Sequence, residues 1–263
     1  MSKIKGMMKT SIRENLAYKF DMMMTVILAP ISIVISYFLL KTIFLYTGTA
    51  QIGGFTFQEL ITYYVMNWVV GILIWTDIGD MVSYDVKNGN ITKNLILPVN
   101  YITFMFVYTL SSRLLALVLE ALPILLISLF VFNIKITLFI LPLFLLSLIL
   151  ALVLNFLITT LLALSAFWMT ENRGIMKLKR VLVHFLSGAV LPIAFFPIIY
   201  QKISTFLPFQ YLEYVPINFW LGKYFGSEAL FMLVMQFVWI IIFYLLCLFV
   251  WKRALTKATS VGI

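Results

Sequence analysis

Six stretches of this chain stay apolar for about 20 residues or more, at approximately 22–45, 58–77, 101–132, 136–168, 181–200 and 229–251. That is the length a helix needs to cross the hydrocarbon core of a bilayer. Backbone N–H and C=O groups find no water there, so each crossing segment has to satisfy its own hydrogen bonds as a helix. Only 11% of the residues are charged, against roughly a quarter in a soluble domain, so lipid is the main solvent. The predicted fold is an all-α integral membrane protein with six transmembrane helices, forming one transmembrane domain over 1–263.

The distribution of charge sets the orientation. The formal net charge is +9, which in a soluble protein would raise the question of nucleic acid. Here the basic residues gather at the ends of apolar segments, as they do in cytoplasmic loops, and nucleic-acid binding is not expected. With the N-terminus inside, the cytoplasmic pieces hold Lys3, Lys5, Lys9, Arg13, Lys19, Lys87, Lys93, Arg173, Lys177, Lys179, Arg180, Lys252, Arg253 and Lys257, which is 14 of the 19 Lys and Arg. Both termini are therefore expected in the cytoplasm. Within 1–21, Ile4, Met8, Ile12 and Leu16 form one row and Lys5, Lys9 and Arg13 the next, the pattern of an amphipathic helix on the membrane surface; a frayed extension of the first span is the alternative. The first apolar segment is longer than a signal-peptide core and is not closed by a small-residue cleavage site, so it is read as retained.

Residues 201–222 are aromatic and apolar, but Pro208, Glu213 and Pro216 interrupt them. A seventh span there would put Lys252, Arg253 and Lys257 outside. The segment is therefore expected to dip into the outer side and return.

Catalytic constellations are nearly lacking. There is no G-x-x-x-x-G-K-S/T and no H-E-x-x-H, and the single histidine, His184, is more simply a packed or interfacial residue. The single cysteine, Cys247, lies in an apolar run and cannot form a disulfide within the chain. Asp77 and Asp80 are three residues apart at the start of a loop, whereas an intramembrane aspartyl protease needs carboxylates that share a proton across two helices. No cofactor or metal is expected on this chain.

Two polar features stand out. Arg113 and Glu120 lie seven residues apart in the third span, on one helical face. Each costs about 2.5–3.5 kcal/mol at the bilayer centre, while each neighbouring Leu, Ile or Val returns about 0.3–0.6 kcal/mol. The pair should face protein or water, as an internal clamp or as part of a path. The other feature is the polar stretch 78–100, which reads as a short helix, a break at Asn88-Gly89-Asn90 and a second helix ending at Pro98. A helix with a polar face carrying Asp85 and Lys87 and an apolar edge near Leu95 can lie on the membrane and meet a cytoplasmic partner.

The ordered segments GFTFQELITYYV (54–65), DVKNGNITKNLILPV (85–99), AFW (166–168), SGAVLPIAFFP (187–197), LPFQYLEYVP (207–216) and Q-x-x-W (236–239) resemble the ABC type-2 exporter permeases, in particular the bacterial six-span branch with a separately encoded ATPase. The resemblance covers nearly the whole chain. It departs where the usual basic-acidic-Gly pattern is Lys87-Asn88-Gly89 and where the usual C-terminal Gly-Gly is Val261-Gly262. It implies the membrane subunit of a half-transporter in the bacterial cytoplasmic membrane, not itself an enzyme, with ATP and magnesium held by partner ATPase subunits. It further implies a second permease, same or homologous, and a coupling helix in 78–100 that uses Asp85, Lys87, Gly89, Asn90, Leu95 and Pro98. The broken segment, with Pro192, Pro197, Pro208, Glu213 and Pro216, would close the outer mouth. The reading from another class is a channel or scaffold independent of ATP.

Overall fold

The computed structural model describes residues 11, 19–76, 78–88, 90, 100–134, 137–169 and 172–260. The helix expected at 1–21 lies almost entirely outside them. Five helical segments among the described residues are long and apolar enough to cross a membrane: Met22–Thr47, Phe57–Lys87, Tyr101–Phe132, Leu141–Phe167 and Gly226–Lys257. The chain is thus an all-α protein of the multi-pass membrane type.

α1 (Lys19–Thr47) leads into a small hairpin of β1 (Gln51–Ile52) and β2 (Phe55–Thr56). Gly53 and Gly54 have φ of 57° and 77°, the left-handed pair a two-residue hairpin turn demands. Thr56 then caps α2 (Phe57–Ile74) in a reciprocal capping box with Glu59. α2 is the central element: Leu60, Ile61, Tyr63, Val65, Met66 and Val70 are all buried. It stops at Trp75, whose extended backbone (ψ 146°) breaks the helix before α3 (Ile78–Lys87) begins.

The third crossing is assembled from α4 (Tyr101–Ala116), a π-helical turn (Leu117–Ala121) and α5 (Leu122–Phe132). Pro123 explains the turn. It has no N–H for the Leu119 carbonyl and its ring crowds that oxygen, so the ladder widens and Leu122 N–H donates to Leu117. α6 (Leu141–Ala163) ends in a 3₁₀ turn, Leu164–Phe167. α7 (Arg173–Leu186) follows, and after the broken segment α10 (Gly226–Ser260) closes the bundle.

The expected continuous span at 181–200 is not present. α7 ends at Leu186, and 14 residues of helix rise only about 21 Å, short of a bilayer core of about 30 Å. Gly188 takes φ 87° and Pro192 and Pro197 each open a new short piece: a 3₁₀ turn at Ile193–Phe195, then α8 (Ile198–Ser204). Pro208 opens a third, the 3₁₀ turn Phe209–Tyr211. Pro216 breaks nothing. It lies in the first turn of α9 (Tyr214–Trp220), where no intrahelical partner is needed for its missing N–H.

Contacts show how this segment runs. The middle of α7 lies beside Trp75, with Lys179 and Arg180 over its ring at 4.8 and 5.0 Å. By Gly188 the chain has climbed to Tyr63, whose hydroxyl donates to the Gly188 carbonyl at 2.7 Å. At Phe195 it reaches the hairpin end and stacks on Phe55 at 6.4 Å. It then falls back, since Tyr214 N–H donates to the Ser187 carbonyl at 3.1 Å. Finally it rises to Lys223, which pairs with Glu59 at 3.0 Å and donates to the Gly54 carbonyl. The break therefore begins at Ser187, well before the position 201 that prolines and aromatics suggest. A Cβ at Gly188 would stand 3.0 Å from the Tyr63 oxygen, on a backbone of φ 87° that side chains rarely adopt.

The interior is tied together by Asn155 of α6. Its side-chain amide donates to the Ile74 carbonyl at 2.6 Å, and its oxygen accepts from Lys179 at 3.0 Å; Asn155 and Lys179 are both buried. One side chain thus satisfies the frayed end of α2 and holds a buried ammonium. Asn155→Leu is expected to cost about 2–4 kcal/mol, the sum of one neutral and one charged hydrogen bond. The check is the thermal midpoint of detergent-solubilised protein, and Asn155→Leu with Lys179→Met should recover most of the loss.

Candidate coupling site and polar interior

α3 is amphipathic and pinned to the bundle along one side. Ile78 and Val82 are buried, in a cluster with Tyr101, Met105, Leu164 and Trp251. Asp85, expected on the face turned to a partner, is buried as well, and the Tyr101 hydroxyl donates to its carboxylate at 2.9 Å. Tyr101 is held in turn by stacking on Trp251, with centroids 5.5 Å apart. The correction has a simple cause. Ile78, Val82 and Asp85 follow one another at i, i+4 and i+7, so an acid that looks loop-like in sequence continues the buried row. Lys87 and Asn88 are exposed and Asn90 half-buried. Gly89, Leu95 and Pro98 lie outside the described residues.

The second attachment of α3 is one that sequence reading missed. Asn172 is buried and its side-chain oxygen faces the Ser83 hydroxyl of α3. Its amide donates to the Ala163 carbonyl at the end of α6 (3.2 Å), and its own carbonyl accepts from Met176 in α7. The end of α6, the start of α7 and the middle of α3 meet on one asparagine. Met176 also lies over Gly79, where a Cβ would collide with it. A polar residue ahead of a basic helix looks like ordinary loop, and only the fold reveals that it is a junction.

Deeper in the bundle, the structure places Arg113 and Glu120 on the protein side of the third crossing. Arg113 donates to the Ile72 carbonyl of α2 at 2.9 Å and to Ser112. Glu120 is buried, hydrogen-bonds Thr25 of α1 and lies within electrostatic reach of Arg113. The π turn between them lets the two charges address different neighbours.

In the broken segment, Pro192 and Pro208 are buried and Pro197 exposed. Glu213 is buried where the segment dips to Ser187; burial pushes its carboxyl up to about 8, while Lys179 pulls the other way. Gln236 of α10 braces the same region, donating to the Tyr211 carbonyl at 2.9 Å and accepting from Ser147. That accounts physically for the glutamine of the Q-x-x-W pattern. Among the described residues no group of His, Cys, Asp or Glu could hold a metal ion.

Long apolar helices around a partly polar interior, with an amphipathic helix hung at one end, define a multi-pass membrane protein. Residues 30–262 match the model of the ABC-2 family transporter proteins, and the chain belongs to that family, the membrane component of ABC transporters. No curated protein matches it.

Two measurements probe the site. Asn172→Ala should speed amide exchange across 78–87 about tenfold, as loss of hydrogen bonding worth roughly 1.4 kcal/mol would, and hydrogen-exchange mass spectrometry reads it directly. For Glu213, the folded chain favours the neutral acid. Its contribution to stability is full below the ordinary carboxylate value of 4.5 and is lost as pH rises through about 8. Wild-type stability should fall across that window, and Glu213→Gln should flatten the decline.

Proposed function

We propose that this permease is the membrane half of an ATP-driven exporter in the bacterial cytoplasmic membrane. It works with a second permease, same or homologous, and with separate ATPase subunits that bind the ATP and magnesium. The observation that carries the reading is the attachment of α3. It is rooted in the bundle through Asp85–Tyr101 and Ser83–Asn172 while its far end, with Lys87, stays exposed. A partner pressing on 78–100 moves a helix that is bolted to α4, α6 and α7. Asn172 and α7 carry the displacement to Ser187, and the Ser187–Tyr214 bond passes it to the broken segment. Packed bundles answer such a push by switching between discrete arrangements. Lys87, Gly89, Asn90, Leu95 and Pro98 remain the residues proposed for the ATPase contact, and Asp85 becomes the root that positions them.

The sixth crossing in this reading is the broken passage from Arg173 to Pro197. α6 ends beside Asn172 and α10 begins near Lys223, at opposite ends of α2, so the chain between them has to cross once. Six crossings put both termini on the side marked by Lys252, Arg253 and Lys257, whereas five would separate them, against the charge rule. Pro192, Pro197, Pro208 and Pro216 then belong to the outer mouth, and Glu213 to the inner limit of the segment that closes it.

Two experiments on the whole chain decide. Cysteines placed at the exposed positions Thr49, Lys87 and Thr256 should label in intact cells only at Thr49; labelling at Thr256 from outside rejects six crossings. Gly89→Val should leave membrane insertion near normal while reducing ATPase co-purification several-fold. Unchanged association in that variant, and in Lys87→Ala, means the ATPase docks elsewhere or that the pore works without one.

A further inference from the structure

α7 presents three faces. Lys179 and Val183 pack inward. Arg173, Lys177, Arg180 and His184, at i, i+4, i+7 and i+11, form an exposed basic row beside that packed face. Leu178, Val181, Leu182 and Phe185 form an exposed apolar row next to it. Such a helix suits neither lipid tails alone nor water alone.

Its height in the bundle is fixed by contacts. Arg180 lies over Trp75, at the end of α2, and the helix then runs alongside α2 toward Tyr63. Lys177 and Arg180 therefore stand at the edge of the apolar layer, and the apolar row leads inward from them. Among the described residues neither of these two cations donates a hydrogen bond, and Arg180 is engaged only with the Trp75 ring. The adjoining cavity, lined by Trp75, Thr76, Asp80, Thr159, Lys179 and Arg180, measures about 20 Å³, room for one water, so a headgroup would rest on the face rather than in the cavity. Asp80 lines the cavity from the α3 side.

We infer that the exposed face of α7 is a binding site for an anionic glycerophospholipid of the cytoplasmic leaflet. The phosphate bridges Lys177 and Arg180, and an acyl chain lies along Leu178, Val181, Leu182 and Phe185. Charge at headgroup depth with an apolar row leading inward is complementary to that ligand and to no soluble anion. The inference rests on the proposed orientation, with the basic end of α7 in the cytoplasm. A phosphate reaching Arg180 competes with the Trp75 ring for its guanidinium, so occupancy is visible at that ring.

The test uses the full chain in nanodiscs of phosphatidylcholine doped with rising phosphatidylglycerol. Trp75 emission is read by difference from Trp75→Phe. A saturable change with phosphatidylglycerol is expected. In Lys177→Gln/Arg180→Gln half-saturation should move up about 30-fold, the effect of two cations at an anionic surface. Lys177→Arg should keep the wild-type response. No phosphatidylglycerol-dependent change, or an equal response in the double variant, overturns the site. An equal response to inorganic phosphate reduces it to a charge contact and overturns the lipid assignment. The readout needs no ATPase, so failure here leaves the co-purification result standing, and the reverse also holds.

Discussion

Asn155 shows what the bilayer demands of this fold. A helix that stops where it is buried in protein leaves carbonyls with no water to bond, and a lysine turned inward leaves a charge with none. Asn155 answers both at once, with its amide on Ile74 and its oxygen on Lys179. Because α2 can end there, Trp75 can break the chain and α3 can leave at a new angle. Because Lys179 can be buried there, α7 can stand against α6 and α2 instead of lying on the surface. The placement of the polar end of the molecule follows from that one side chain.

Four of the crossing helices were legible in hydropathy to within a few residues. Lipid-facing helices are apolar all round, so length alone identifies them. α10 runs past Trp251 to Ser260 because Lys252, Arg253 and Lys257 are good helix formers that need only reach water. The stretch 181–200 is not one continuous helix, because apolar character says nothing about backbone continuity. Ser187-Gly188 carries no proline, yet the approach to Tyr63 requires a left-handed residue there, and that requirement belongs to the tertiary structure. Among site residues, Lys87 is exposed and Asp85 buried, and only the register of Asp85 with Ile78 and Val82 decides its face. Asn172 carried no sequence signal at all.

The Arg113–Glu120 pair illustrates how a costly feature becomes structural. Insertion energetics required the two to face inward, and they do. The sequence could not say that Pro123 would widen the turn between them. With a π turn, Glu120 reaches α1 while Arg113 reaches α2, so the two charges tie the first three crossings together. A regular helix would have stacked them on one row facing one neighbour. Whatever moves α1 or α2 then strains a buried charge, which favours movement of these helices as a block.

That block sets a condition on coupling. A push on α3 is useful only if it is not absorbed before reaching the far end, and the two attachments of α3 differ in this respect. The Asp85–Tyr101–Trp251 stack joins it to α4 and α10 by wide aromatic surfaces that resist sliding. The Asn172 junction joins it to α7 through single hydrogen bonds that tolerate rotation. α7 touches the block chiefly through Lys179 and Val183, and beyond Leu186 it has only short, proline-opened pieces to carry. It is tied to α3 at one end and to the Ser187–Tyr214 bond at the other. In the proposed exporter, α7 is the element that would carry motion from α3 toward the broken segment. The broken passage suits that proposed role, since a continuous 20-residue helix there would transmit the same push to the lipid on the far side instead of to the segment holding Glu213.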